Sequence, residues 1–154
     1  MKYSTEVKIN DINLHILRDG KNTFTNDTFV ETTDDEIELL LKSNQQTAIE
    51  TSFNAFLIKS SNEYILIDAG AGDLFGSIAG NLDTALRELG VLNTDITKLI
   101  VTHLHPDHIG GAINSEFNSV FPNAEFILSE KEYNFWSNSA NFTKQPESQI
   151  HPLA

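Results

Sequence analysis

Three of the five histidines and one aspartate fall within six consecutive residues, His103-Leu104-His105-Pro106-Asp107-His108, and Ile109-Gly110-Gly111 comes directly after. An isolated histidine usually plays a structural part, and a lone pair spaced by one residue means little. Four nitrogen and oxygen donors in so short a run are a different matter. Neutral imidazole and carboxylate bind zinc, iron or manganese. In an extended segment, residues two apart point the same way, so His103 and His105 can share one ion. Pro106 favours extended backbone at His105 and turns the chain beyond it. Asp107 and His108 then fall in a turn or short helix, rotated away from the first pair, and suit a second ion better. Two ions about 3.5–4 Å apart clamp both oxygens of a displacement and bring a bound water to a pKa near 7. Asp107 would then be both ligand and proton acceptor, and Gly110-Gly111 would remove side-chain bulk beside the site.

The run must be held by something stiff. Residues 98–102, Lys-Leu-Ile-Val-Thr, read as a buried strand, and the histidines begin where it stops. Ligand sites collect at such strand ends, where loops aim side chains that the sheet holds still. Residues 63–68 form a second, nearly continuous apolar strand that expects cover on both faces. It leads into Asp68-Ala69-Gly70-Ala71-Gly72, a turn that lets backbone approach closely.

Upstream, residues 6–9 and 12–17 read as a hairpin about Asn10-Asp11, closed by Arg18-Asp19-Gly20, with polar loop over 21–33. Residues 34–43 read as a helix with Thr33 and Glu36 as capping box and Ile37, Leu40 and Leu41 as its apolar stripe. A strand is expected near 53–59, with Ser60-Ser61-Asn62 as the turn after it. A helix over 77–89 would end at Gly90 and bury Ile78, Leu82, Ala85, Leu86 and Leu89. Residues 125–128 read as a strand and 129–138 as a helix capped by Ser129 and Glu132, with Phe135 and Trp136 in the core. Strands alternating with helices imply a layered α/β fold in a single domain over residues 1–154.

Composition narrows the function. At 154 residues, 40% hydrophobic and 21% charged, the chain matches an ordinary globular domain. A net charge of −12 and the lack of any Lys/Arg cluster disfavour nucleic acid as a partner. The absence of cysteine removes disulfides and thiolate ligands. No apolar run suits a membrane span or signal peptide, so the expectation is a cytoplasmic protein acting on a small molecule.

The run from Thr102 to Gly111 resembles the HxHxDH signature of the metallo-β-lactamase superfamily. That resemblance implies an αββα sandwich and two divalent ions, zinc first, with iron or manganese acceptable. It assigns His103 and His105 to the first ion and Asp107 and His108 to the second. Leu66-Ile67-Asp68-Ala69-Gly70 is similar to the family's Asp-Thr-Gly turn, with Ala69 replacing Thr, and implies that Asp68 supports the ligands without binding metal; read alone, Asp68 is also an ordinary turn aspartate. Phe121-Pro122-Asn123-Ala124 and Glu132…Phe135-Trp136 resemble the subgroup of methyl parathion hydrolase-like enzymes and quorum-quenching lactonases. The implied function is metal-dependent hydrolysis of a lactone, ester or phosphotriester. The alternatives are a thioester hydrolase of glyoxalase II type and a non-catalytic metal-binding fragment.

The family pattern also needs a later histidine, a bridging aspartate, a further histidine and a second β-layer. His151 is the only later histidine, and its Gln149-Ile150-His151-Pro152 context reads as a terminal residue rather than a ligand. The expectation is therefore the N-terminal half of the sandwich, with an apolar sheet face left open and a tendency to self-associate.

Overall fold

The computed structural model describes residues 2–60 and 63–141. Ser61 and Asn62 of the expected turn, and His151, lie outside the described residues.

Six strands form one sheet in sequence order: β1 (Ser4–Ile9), β2 (Ile12–Phe24), β3 (Ile49–Lys59), β4 (Tyr64–Ile67), β5 (Lys98–Val101) and β6 (Glu125–Leu128). Neighbours from β1 to β4 are antiparallel, and β4, β5 and β6 are parallel. The helices are α1 (Asp34–Ser43), α2 (Leu82–Glu88), α3 (Pro106–Ile109) and α4 (Glu130–Trp136). Parallel neighbours need a crossover, and α2 supplies the one between β4 and β5.

The two-residue turn Asn10-Asp11 joins β1 to β2, with Asn10 at φ 52°, a conformation Asn tolerates well. Beyond it the structure departs from the local reading. Arg18-Asp19-Gly20 closes nothing: β2 runs 13 residues through it to Phe24 and pairs with β3 along its length. The register shifts between Arg18 and Gly20, so Asp19 sits in a bulge. Turn-type residues here mark a kinked strand.

Helix α1 begins as read, with both halves of the Thr33–Glu36 capping box formed. Its stripe is narrower than expected: Ile37 is buried, Leu41 half-buried and Leu40 exposed. Helix α2 starts five residues late, because Gly80 at φ +87° interrupts the helix before Asn81. Ile78 is consequently exposed, whereas Leu82, Ala85 and Leu86 reach the core and Leu89 packs at its edge.

One face of the sheet is closed. Leu17, Ala55, Leu57, Leu66, Leu99 and Val101 pack with α2 and with Val91, Ile96, Ala112 and Phe121. The strand registers place Ile16, Phe56, Ile67, Ile100 and Ile127 together on the other face. The first four are half-buried and Ile127 is exposed. An apolar sheet face left open was the expectation for this half of the sandwich. Among the described residues only Leu66 of that strand is buried.

Candidate metal centre

The site grows from the C-terminal ends of two adjacent parallel strands. β4 ends in the 68–72 loop and β5 in the histidine loop, so Asp68 and Thr102 are neighbours although 34 positions separate them. Asp68 is buried and left-handed, at φ 61°. Its Oδ1 accepts from Thr102 N at 2.8 Å, and the Thr102 hydroxyl lies 3.0 and 2.9 Å from its two oxygens. Its Oδ2 lies 2.8 Å from Nδ1 of His108.

The two loops are joined through backbone as well. Ala69 N donates to His108 O at 2.7 Å and Gly111 N to Gly70 O at 3.0 Å. A Cβ on Gly111 would fall 2.1 Å from Ala69 O, and one on Gly110 would fall 2.5 Å from Ala71 O. The Gly-Gly pair therefore permits the close approach of the two loops; freeing space beside the histidines is not its main use.

Below the loops lies Asp19, wholly buried. Its Oδ2 accepts from Ala71 N at 2.9 Å and its Oδ1 from Leu82 N at 3.0 Å. One carboxylate thus ties the 68–72 loop to the start of α2, where Asn81 makes no side-chain cap. Gly70, at φ +69°, has no room for a Cβ because it would meet Asp19 Cγ at 2.5 Å.

The four candidate ligands come together as two pairs. His103 Nε2 and His105 Nδ1 face each other at 3.1 Å. His108 Nε2 and Asp107 Oδ2 lie 3.4 Å apart at the start of α3. The pairs adjoin, with the His103 and His108 ring centroids 3.9 Å apart. Burial first, and then the neighbouring His108 and His105, hold the His103 imidazole below the usual histidine range. A neutral ring keeps the lone pair that a ligand needs. Among the described residues, no three His, Cys, Asp or Glu side chains are arranged to hold one ion.

Trp136 and Phe135 are not core residues. Phe135 is exposed and Trp136 half-buried; the indole stands edge-on to His105 with centroids 6.1 Å apart, and Phe135 edge-on to Trp136 at 5.5 Å. Glu132 is also diverted from its expected task. Ser129 accepts from Glu132 N at 3.2 Å, but Glu132 Oε2 accepts from Leu104 N at 2.9 Å and Trp136 Nε1 at 3.0 Å. Thr102, Asp19 and Glu132 are thus the supporting residues that local reading missed. Thr102 had a signal, a hydroxyl where β5 gives way to the histidines; Glu132 had a misleading one, its capping spacing.

Residues 50–150 match the sequence profile of the Metallo-beta-lactamase superfamily. The chain belongs to that superfamily. A probable metallo-hydrolase of Methanocaldococcus jannaschii is 36% identical over 86 residues, covering 56% of this chain and 37% of the relative. The crystal structure of AbOPH, a hydrolase in the β-lactamase superfamily, superposes with a TM-score of 0.89 at 29% identity, over 96% of this chain and 52% of that one. AidC, a dizinc quorum-quenching lactonase in complex with a product, N-hexnoyl-L-homoserine, gives 0.83 at 32% identity over 90% and 49%. The chain therefore spans about half the length of these structures, and little more than a third of the archaeal relative. No helix among the described residues is long and apolar enough to cross a membrane.

Proposed function

We propose that this chain carries the metal-binding loop of a hydrolase that opens a lactone, ester or phosphotriester. The observation that carries the reading is the pairing of donor atoms beyond β5: His103 Nε2 with His105 Nδ1, and Asp107 Oδ2 with His108 Nε2. The first pair would hold one divalent ion and the second another; the dizinc lactonase neighbour supports zinc. Bound there, two such ions would polarise the substrate oxygen and lower the pKa of a water to about 7.

The chain's own residues supply the rest. Asp68 keeps the proton of His108 on Nδ1 and leaves Nε2 as the donor atom. Asp107 would accept the proton that the attacking water gives up and return it to the leaving oxygen as the bond breaks. Trp136 walls the His105 side and offers an apolar surface to the substrate. The aromatic wall and the lactonase neighbour favour an uncharged, partly apolar substrate over a nucleic acid.

A second reading, metal binding without turnover, is favoured by the described residues offering ligands only in pairs. One experiment addresses both. Zinc and cobalt binding is followed by equilibrium dialysis, and hydrolysis of an acyl-homoserine lactone and an aryl phosphotriester is assayed with the same samples. Binding with hydrolysis supports the enzyme, and binding alone the second reading. If H103A/H105A binds as well as the parent, the loop is not the site.

A further inference from the structure

Helix α4 contains a carboxylate that serves the histidine loop instead of its own helix. Helix α1 provides the contrast within the same molecule. There Glu36 returns to Thr33, accepting from its backbone N at 2.9 Å and completing the box. At α4 the spacing is the same and Ser129 plays its half, yet Glu132 turns away. Its Oε2 instead bridges Leu104 N and the Trp136 indole.

Leu104 is the residue between His103 and His105. Its N–H belongs to the peptide that leads from the first histidine toward the second, so an acceptor fixed on α4 sets the plane of that peptide. His103 and His105 flank Leu104, and their facing nitrogens are 3.1 Å apart. The second bond, from Trp136 Nε1, holds the indole edge-on against the His105 ring. A half-buried carboxylate accepting two N–H bonds on one oxygen is a strong, directional anchor.

We infer that Glu132 is a positioning residue for the metal loop: through Leu104 N–H and Trp136 it fixes the spacing and orientation of the His103–His105 pair. This rests on the proposed reading of those histidines as ligands. Groups that orient ligands from outside the coordination sphere typically contribute about 10–100-fold to metal affinity.

The test uses the full 154-residue chain and the variants E132A and E132Q. Cobalt(II) binding is followed by its visible spectrum, and the ring resonances of His103 and His105 by NMR in the metal-free chain. E132A should weaken cobalt binding about tenfold or more and alter the spectrum. It should also shift both histidine rings and speed hydrogen exchange at the Leu104 amide. E132Q keeps a carbonyl oxygen at the same reach and should restore most of each signal, which simple loss of α4 stability would not predict. If E132A fails to fold by circular dichroism, E132D, with the carboxylate withdrawn by one methylene, takes its place. Parental cobalt binding and parental ring shifts in a folded E132A or E132D overturn the inference. A parent chain that binds no cobalt overturns the ligand reading, and the ring shifts then still decide whether Glu132 positions the pair.

Discussion

Asp68 Oδ2 and His108 Nδ1 lie 2.8 Å apart, and that contact decides which nitrogen of His108 faces Asp107. Because Asp68 also receives Thr102 N–H and its hydroxyl, the carboxylate cannot swing away without opening the end of β5. Replacing Asp68 by Asn keeps the shape and removes the charge. D68N should lose about 10–100-fold in zinc affinity while retaining its fold. Competition with a chromophoric chelator measures this, and affinity equal to the parent's would remove Asp68 from the supporting role.

Asp19 should matter to stability more than to chemistry. Asp19→Ala leaves the N–H groups of Ala71 and Leu82 without their acceptor in a buried place. Hydrogen bonds to a charged group are worth about 1.5–3 kcal/mol each and are not additive, so a loss of about 3 kcal/mol is expected. Asn at this position keeps one acceptor oxygen and should lose less. Urea unfolding of D19A and D19N gives the comparison, and a D19A midpoint equal to the parent's would contradict the clamp.

Gly111→Ala tests the contact between the two loops. Its Cβ would overlap Ala69 O, a backbone atom that cannot turn aside. A cost of about 3 kcal/mol is expected from overpacking, together with weaker metal binding as the 68–72 loop is pushed from the histidines. Thermal unfolding and dialysis on one preparation should show both losses. Gly76→Ala is the control, since its Cβ meets nothing within 4 Å and only its φ of 58° is strained.

The half-buried sheet face leads to a prediction about association. Ile16, Phe56, Ile67, Ile100 and Ile127 form an apolar row across five strands, and patches beyond a few hundred Å² are unusual on monomers. The chain should bind a hydrophobic dye and scatter light as a dimer or larger species. I67K, placing a charge in mid-row, should reduce both signals. A dye-silent, monodisperse parent would show that this face is covered.

The clustering of the four candidate ligands was the easiest feature to read. His103, His105, Asp107 and His108 are near in sequence as well as in space, and Thr33 with Glu36 is a purely local device. Asp19 was illegible because its partners lie 52 and 63 positions away. Between Arg18 and Gly20 it looks like a turn residue until β3 is laid beside it. Glu132 followed the local rule in spacing and broke it in use, because the Leu104 N–H lay within reach and needed an acceptor.

The parallel pairing of β4 with β5 also imposes an order on folding. The β1–β2 hairpin needs only its two-residue turn and can close within about 1–10 μs. Tyr64 and Thr97 are 33 positions apart, and the intervening chain must be drawn in before either strand gains its neighbour. Until then Asp68 has no Thr102 and His108 has no Asp68. The geometry proposed to bind ions would thus be among the last features to mature, and metal added to unfolded chain would find loose histidines without a template. In stopped-flow refolding, the cobalt spectrum should rise after the far-ultraviolet signal, with the interval recording the time the crossover takes.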